Sequence, residues 1–149
     1  MLCISLETPI GKISLTEKTG NIKSLRWESC HLNIKTTLLS TAARQLHNYF
    51  QGKVTCFSLP ISPEGTIFQK AVWKVLLEIP YGKQITYKQL SNIVGTSPRS
   101  VGQACKQNPI PIIIPCHRVT LSSGKPGKYS SGEGEVTKRF LLDLEQNLP

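Results

Sequence analysis

The alternation of apolar and polar residues predicts a β-meander over the first 27 residues. The segments CISLE, KISLTE and IKSLRW alternate with the period of a strand whose two faces differ. The turn-forming residues at 8–11 separate the first pair, and TGN at 19–21 separates the second. A later run, VTCFSL at 54–59, predicts a further strand.

Between these strands the apolar spacing changes to that of a helix. Residues 38–51 are predicted to be helical, with Gly52 as the helix end. The polar, Pro/Gly-rich stretch PISPEG at 60–65 predicts a linker. It divides the chain into an N-terminal α/β domain over 1–60 and a C-terminal domain over 61–149. The apolar positions at helical spacing are Leu39, Ala42, Ala43, Leu46, Tyr49 and Phe50.

Capping patterns predict the helices of the C-terminal domain. Thr66 with Gln69 forms a capping box ahead of an apolar stripe, and Thr86 with Gln89 forms another ahead of a short helix. Gly95 is the predicted end of that short helix.

A third helix, over about 98–107, is predicted to begin with Ser97 as its N-cap and Pro98 as its first residue. Two short helices joined by a tight turn that contains glycine are typical of a helix-turn-helix. A structural helix pair without a DNA-binding role is the alternative. The predicted fold class is therefore α/β, with an antiparallel sheet and a helix in the N-terminal domain and mostly helices in the C-terminal one.

Charge strengthens the DNA-binding interpretation. The net charge is +9, and no acidic residue lies between Glu78 and Glu133, a window that contains seven Lys or Arg residues. Such a surface suits a polyanion, because a carboxylate there would repel phosphates. A solvated basic face that keeps the protein soluble is the alternative.

Location is predicted from two absences in the sequence. No apolar run approaches the ~20 residues of a membrane helix. The first residues, MLCISLETPIGK, lack the regions of a signal peptide. We therefore expect a cytoplasmic protein, or a nuclear one in a eukaryote, whose five cysteines are reduced thiols.

The stretch NPIPIIIPCHRV at 108–119 carries the candidate chemistry. A strand-like apolar run is followed by Cys116, His117 and Arg118. Three interpretations compete: a metal site, a buried core thiol, and a nucleophile activated by the imidazole. Cys105, Cys116 and His117 lack the short paired spacing of zinc ligands. Elsewhere, four residues are candidate metal ligands by residue type alone: Cys3, Cys30, His31 and Cys56. No metal or other cofactor is assigned.

PCHRV at 115–119, preceded by NPIPII, resembles the active-site signature of the O6-alkylguanine-DNA alkyltransferases. Four further blocks resemble that family in order, and together they cover nearly all of residues 66–145. TPIGKISL near the N-terminus is similar more loosely. The blocks are TIFQKAVWKVLLEIPYGKQITYKQL, SPRSVGQA, GKYSSG and KRFLLDLE.

This resemblance implies an N-terminal domain like ribonuclease H and an alkyl-accepting thiolate at Cys116. His117 would deprotonate the thiol through a bridging water, and Glu145 would orient the imidazole. Asn108 would hold the turn that places the site. Tyr87 would rotate the phosphate of the target nucleotide and help protonate the departing guanine.

The resemblance also implies how DNA would bind. Arg99 would fill the gap left by a flipped base, and the recognition helix would enter the minor groove of double-stranded DNA. The residues implied to contact DNA are Tyr87, on the preceding helix, and Arg99, Ser100, Gly102 and Lys106. The substrate pocket would be lined by Val119, Tyr129 and Ser130.

The implied activity is direct reversal of DNA damage by a monomer. An alkyl group would move irreversibly from O6 of guanine, and from O4 of thymine, to Cys116, once per molecule. Spacing after Tyr129 is stretched near Glu133-Gly134, which bears on substrate range. A rival is a DNA-binding sensor of alkylation with Cys116 as the signal acceptor. A cysteine hydrolase would use the same Cys, His and Glu, but it does not explain the basic window.

Overall fold

The predicted β-meander forms a three-stranded antiparallel sheet in the computed structural model, which describes residues 1–146. Strands β1 (Leu2–Thr8), β2 (Gly11–Lys18) and β3 (Asn21–Arg26) neighbour each other in chain order. Residues 147–149, with which the predicted C-terminal domain ends, lie outside the described residues.

Helix α1 (Thr37–Phe50) packs against this sheet and confirms the predicted helix. The Thr36 hydroxyl accepts a hydrogen bond from the backbone N–H of Leu39 and so caps the first turn. Gly52 follows the last turn with φ +73°, a conformation that glycine adopts without strain. The buried face of the helix consists of Leu39, Ala42, Leu46 and Tyr49.

The strand predicted over 54–59 is wrong: this segment forms no ladder. Its backbone hydrogen bonds instead with a side chain of α1. Gln45 donates from Nε2 to the carbonyl of Ser58 at 3.1 Å and accepts from the N–H of Ser58 at 2.9 Å. A side-chain amide therefore takes the place of a partner strand, which alternation in the sequence cannot reveal.

The predicted linker is fixed to the N-terminal sheet along β3. Ile22 donates its N–H to the carbonyl of Pro60 at 2.9 Å, and Ser62 donates to the carbonyl of Ile22 at 2.9 Å. The two halves of the chain are thus joined through strand-like hydrogen bonds at this point.

The C-terminal half contains helices α2 (Ile67–Leu76), α3 (Tyr87–Val94), α4 (Pro98–Lys106) and α5 (Glu135–Gln146). Both predicted capping boxes are present, with reciprocal hydrogen bonds at the starts of α2 and α3. None of the described helices is long and apolar enough to span a lipid bilayer.

Helices α3 and α4 form the predicted helix pair. Gly95 ends α3 in the left-handed conformation with φ +87°, and the Ser97 hydroxyl caps α4 through the N–H of Ser100. The short strands β4 (Ile85–Thr86) and β5 (Val119–Thr120) pair in parallel and tie the start of α3 to the segment after Cys116.

The apolar run before Cys116 is a buried loop, so its description as strand-like is wrong. Prolines at three of its positions have no N–H for a ladder and fix φ near −65°. Ile112 adopts φ +74°, which is strained for a β-branched residue. Ile114 donates to the carbonyl of Ile110 at 2.9 Å, which folds the run back on itself. Burial of the apolar side chains holds this conformation.

The expectation that all five cysteines are reduced is also wrong. The structure joins Cys3 to Cys30 by a disulfide, while Cys56, Cys105 and Cys116 are free. The paired cysteines lie 27 positions apart in the chain, and the antiparallel sheet with the turn after β3 brings them together. Sequence spacing alone does not predict such a pairing.

Trp73 fixes α4 to α2, and we expect Trp73→Phe to lower the free energy of unfolding by about 2–4 kcal/mol. The indole Nε1 donates to the carbonyl of Ala104 on α4 at 2.9 Å, and the side chain is 1% exposed. Phenylalanine leaves that carbonyl unsatisfied and a cavity beside it. Ile67→Ala, at a 91% exposed position of the same helix, is the control and should stay within about 0.5 kcal/mol. Urea denaturation measures both, and equal midpoints would contradict the role of Trp73.

Candidate active site

A 3-10 turn over Cys116–Arg118 presents the candidate nucleophile. Cys116 donates its N–H to the carbonyl of Ile114 at 2.8 Å, and Arg118 donates to Pro115 at 3.0 Å. In an extended segment, consecutive side chains point to opposite sides, whereas in a 3-10 turn they are about 120° apart around the axis. The turn therefore brings Cys116, His117 and Arg118 into one buried region.

The Glu145 carboxylate on α5 is the centre of this region. It accepts hydrogen bonds from four residues. Its Oε2 accepts from His117 Nε2 and from Tyr49 Oη, both at 2.7 Å, and from Arg118 Nη2 at 3.0 Å. Its Oε1 accepts from Arg118 Nε at 2.9 Å and from the Gly82 N–H at 3.3 Å. A buried charge is tolerated when it is paired and its lone pairs are satisfied, as they are here.

His117 is arranged to act as a base. Burial lowers its pKa, although the hydrogen bond and charge of Glu145 act in the opposite direction, so the imidazole is neutral. Since Nε2 donates to Glu145, the lone pair lies on Nδ1. Nδ1 is buried and has no hydrogen-bond partner among the described residues. An unsatisfied basic nitrogen next in sequence to a thiol is available to receive its proton.

The Cys116 thiol is protonated at rest. Burial raises its pKa, and the hydrogen bond from the Asn108 side chain and the charge of Lys138 reduce that effect only in part. Basic surroundings alone therefore do not produce a thiolate, and the thiol needs a base such as His117 before it can attack.

Asn108 braces the loop that leads to Cys116. Its Nδ2 donates to the carbonyl of Ile114 at 2.8 Å, and its Oδ1 accepts from the N–H of Ile110 at 3.0 Å. One side chain thus joins both ends of the loop.

Lys138 is a site residue that the sequence interpretation missed. It is fully buried on α5, and Nζ donates to the Tyr87 hydroxyl at 3.1 Å and to the carbonyl of Lys128 at 3.3 Å. Burial raises the pKa of Tyr87 and lowers that of Lys138. A signal was present: Lys138 precedes Glu145 by seven residues, so both lie on the apolar face of one helix.

Arg118 was also missed as a site residue, although it lies within the PCHRV motif. Its Nη1 donates to the carbonyl of Ile79 at 2.6 Å while Nε and Nη2 bind Glu145. The guanidinium carbon lies 5.7 Å from the centre of the Tyr81 ring. Arg118 is therefore the permanent positive partner of the Glu145 carboxylate.

A cavity of about 640 Å³ opens beside Cys116, between α4 and the segment 127–130. Its size suits a small organic group such as a nucleobase. Tyr129 contributes a hydroxyl that is buried without a hydrogen-bond partner among the described residues. The predicted site residues that line the cavity are Tyr87, Arg99, Gly102, Lys106, Cys116, Tyr129 and Ser130.

Among the residues predicted to contact DNA or the substrate, Val119 and Ser100 lie outside that lining. Val119 is fully buried within β5 and is not among the residues that line the cavity in the described part of the chain. Ser100 lies in the first turn of α4, half-buried, and its hydroxyl accepts from that of Ser97. Arg99 and Lys106 are exposed at the two ends of α4, which has no acidic residue in its first turn.

Within residues 1–146, no group of three or more His, Cys, Asp or Glu side chains could hold a metal ion. Two of the four candidates by type, Cys3 and Cys30, form the disulfide.

Glu145 predicts a pH dependence of stability. Burial acts to raise its pKa, but hydrogen bonds from His117 and Arg118 outweigh it and lower the pKa from an ordinary 4.5 to about 2. A depressed carboxyl pKa stabilises the fold above the unfolded value, and this stability is lost as the pH falls through the folded value. The wild type should lose on the order of 3 kcal/mol more than Glu145→Gln between pH 4.5 and 2. Chemical denaturation across this range measures it, and parallel curves would contradict the pairing.

Comparison with known proteins matches this geometry to a family. Residues 67–147 match the 6-O-methylguanine DNA methyltransferase DNA binding domain, and residues 1–63 match the ribonuclease-like domain of the same family. The methylated-DNA--protein-cysteine methyltransferase of Methanosarcina barkeri is 45% identical over 152 residues, which cover 95% of each chain.

Solved structures are similar over nearly the whole chain. The Mycobacterium tuberculosis O6-methylguanine methyltransferase superimposes with a TM-score of 0.89 at 36% identity, covering 99% of this chain and 94% of that one. The M. tuberculosis OGT protein in complex with DNA gives 0.88 at 38% identity, covering 98% and 93%. The chain therefore belongs to the 6-O-methylguanine DNA methyltransferase family, as its motifs indicated.

Proposed function

We propose that this protein repairs DNA by moving an alkyl group from O6 of guanine, and from O4 of thymine, to the Cys116 sulfur. The observation that carries the proposal is the position of Cys116. It lines a cavity large enough to admit a nucleobase, and the next residue is an imidazole hydrogen-bonded to Glu145. Family membership and the similarity to a structure solved with DNA support it.

The reaction is one displacement at the alkyl carbon. His117 takes the thiol proton, through a bridging water, and the sulfur forms a bond to carbon as the bond from carbon to guanine O6 breaks. Tyr87 helps deliver a proton to the departing guanine, and the Lys138 ammonium at 3.1 Å can donate to the Tyr87 oxygen as it does so. The thioether product has no comparable leaving group, so each molecule acts once.

The target base has to leave the duplex to reach Cys116. In the duplex, O6 lies on the major-groove edge of the stacked base, where a thiol that lines a cavity in the protein cannot align behind the alkyl carbon. Unstacking and unpairing cost a few kcal/mol, which an inserted side chain at Arg99 offsets in part. We propose that α4 enters the minor groove and that Tyr129 and Ser130, which line the cavity, form the surroundings of the flipped base. The DNA backbone is contacted by Ser100, Gly102 and Lys106.

Several further features belong to the same proposal. Residues 1–60 and 61–149 are two domains, the protein acts as a monomer in the cytoplasm, and the displacement needs no cofactor because its atoms balance without one.

No observation in the described part of the structure favours the alternative role of an alkylation sensor. A cysteine hydrolase would share Cys116, His117 and Glu145, and the tests below separate it from a protein that acts once.

We expect Cys116→Ser to abolish alkyl transfer, because a hydroxyl ionises far less readily than a thiol. After incubation with duplex DNA that contains O6-methylguanine, mass spectrometry of the wild type should show one methyl group per molecule, mapped to Cys116. Cys105→Ser is the matched control, since Cys105 is a second buried free thiol that lines the cavity.

The Cys105→Ser protein should still carry one adduct at Cys116. Full transfer by Cys116→Ser, or an adduct on Cys56 or Cys105, would contradict the assignment. Repeated turnover without an adduct would favour the hydrolase.

We expect Arg99→Ala to slow transfer from duplex DNA by roughly tenfold or more, and to change the reaction with the free modified base by much less. The arginine acts on extrusion of the base, and a free base needs none. Arg44→Ala, at an exposed position of α1, is the control for loss of one positive charge. Single-turnover rates on both substrates measure the effect. Equal losses on both would place Arg99 in the chemical step or in folding.

A further inference from the structure

Tyr49 brings a hydroxyl from the N-terminal half of the chain into the candidate active site. It lies on α1, is fully buried, and donates to Glu145 Oε2 at 2.7 Å across 96 positions of sequence. The same oxygen is 2.7 Å from His117 Nε2. The phenol and the imidazole therefore share one acceptor atom.

The hydroxyl of Tyr49 is distinct from the packing role of its ring. The ring lies within an aromatic cluster, 5.3 Å from Phe50, 5.4 Å from Phe57 and 6.0 Å from Tyr81 between centroids. Tyr81 belongs to that cluster too, but its hydroxyl is buried and has no partner in the described chain. Packing in this cluster thus does not require a hydrogen bond, and the bond from Tyr49 to Glu145 needs a separate explanation.

The phenol stays a donor throughout the reaction. Burial raises the pKa of Tyr49 well above its ordinary value, and the neighbouring Glu145 charge raises it further. An O–H donor on Oε2 withdraws electron density from the atom that also accepts from His117. It also fixes the position of that oxygen, because Oε2 is held from the side of α1 as well as from the 3-10 turn.

We infer that Tyr49 is a positioning residue of the alkyl-transfer site, through which helix α1 holds the Glu145 oxygen that orients His117. This inference rests on the proposed function. It makes the N-terminal half a part of the active site, and it goes beyond the roles of Cys116, His117 and Glu145.

Loss of this hydroxyl has a defined consequence for His117. Without the phenol, Oε2 carries more negative charge for the imidazole N–H, so the pKa of His117 rises. Protonated imidazole has no lone pair for the thiol proton, and the inactive form then persists to higher pH. The other charged or titratable groups that face this pair are Arg118, Lys138 and Tyr81, and all of them stay in place.

The experiment compares Tyr49→Phe with Tyr81→Phe in the full chain. Both remove one buried phenol oxygen from the same aromatic cluster, but only the first removes a donor to Glu145. Single-turnover transfer to Cys116 from free O6-benzylguanine is measured from pH 5 to 9. Tyr49→Phe should react roughly three- to tenfold more slowly at neutral pH, with the acid limb of its profile moved to higher pH. Tyr81→Phe should follow the wild-type profile.

A second measurement does not depend on activity. NMR titration of the His117 ring should give a higher pKa in Tyr49→Phe than in the wild type, and no change in Tyr81→Phe. Difluorotyrosine introduced at position 49 keeps the ring and is a stronger donor, so it should move the titration the opposite way; it also serves if Tyr49→Phe does not fold. Unchanged profiles and titrations in both variants at position 49 would overturn the inference.

The same measurements keep the two proposals apart. If the wild type never acquires an adduct at Cys116, the proposed function fails, whatever the variants do. The NMR titration still decides whether Tyr49 sets the basicity of His117. If the wild type is alkylated but Tyr49→Phe matches Tyr81→Phe in rate, profile and titration, only the role of Tyr49 fails.

Discussion

One buried negative charge organises the C-terminal half of the molecule. The Glu145 carboxylate is 4% exposed, and its hydrogen-bond donors come from α1, from the turn after α2 and from the 3-10 turn that contains Cys116. An unpaired carboxylate in this position would cost several kcal/mol, so the donors have to be in place for the fold to be stable. The requirement to satisfy this charge therefore fixes the His117 ring, and the arrangement that stabilises the fold also leaves Nδ1 without a hydrogen-bond partner among the described residues.

The N-terminal sheet supports the site from a second direction. Leu25 on β3 donates its N–H to the carbonyl of Pro109 at 3.0 Å, at the start of the loop that Asn108 braces. That loop contains Ile112 at φ +74°, a strained conformation that persists only where the surroundings fix it. The edge of β3 and the hydroxyl of Tyr49 are thus separate contacts from the N-terminal half, one to the loop before Cys116 and one to Glu145. Together they explain why a small α/β unit accompanies the helical half.

Much of the fold could be predicted because its signals are local. These signals need only three to five neighbouring residues. The structure confirms the capping boxes of α2 and α3, the glycine that ends α3 and the Ser97 N-cap of α4. The segments that were mispredicted depend on distant partners. Residues 54–59 lie against the Gln45 side chain, and Cys3 is paired with Cys30, which lies 27 positions away and beyond β3.

The same distinction between local and distant contacts applies to the residues of the candidate site. Cys116 and His117 are adjacent in a recognisable motif, so the sequence points to them and the family supplies Glu145. Tyr49 contacts Glu145 across 96 positions, and nothing in its helical spacing distinguishes it from an ordinary core residue. Lys138 looks like a surface lysine until its helix is packed, when it becomes fully buried. Residues whose roles arise from tertiary contacts were therefore the ones that sequence reasoning missed.

The electrostatics of the two reacting groups suit a protein that reacts once. Burial raises the pKa of Cys116 and lowers that of His117, so both are uncharged at rest. A protonated thiol is a weak nucleophile, which limits loss of the acceptor to oxidants and free electrophiles. In the proposed reaction, Glu145 at 2.7 Å stabilises the imidazolium that forms, while negative charge moves from sulfur toward guanine. Under the proposed function, burial and the Glu145 carboxylate thus act together: burial keeps the thiol unreactive, and the carboxylate stabilises the imidazolium that its activation produces.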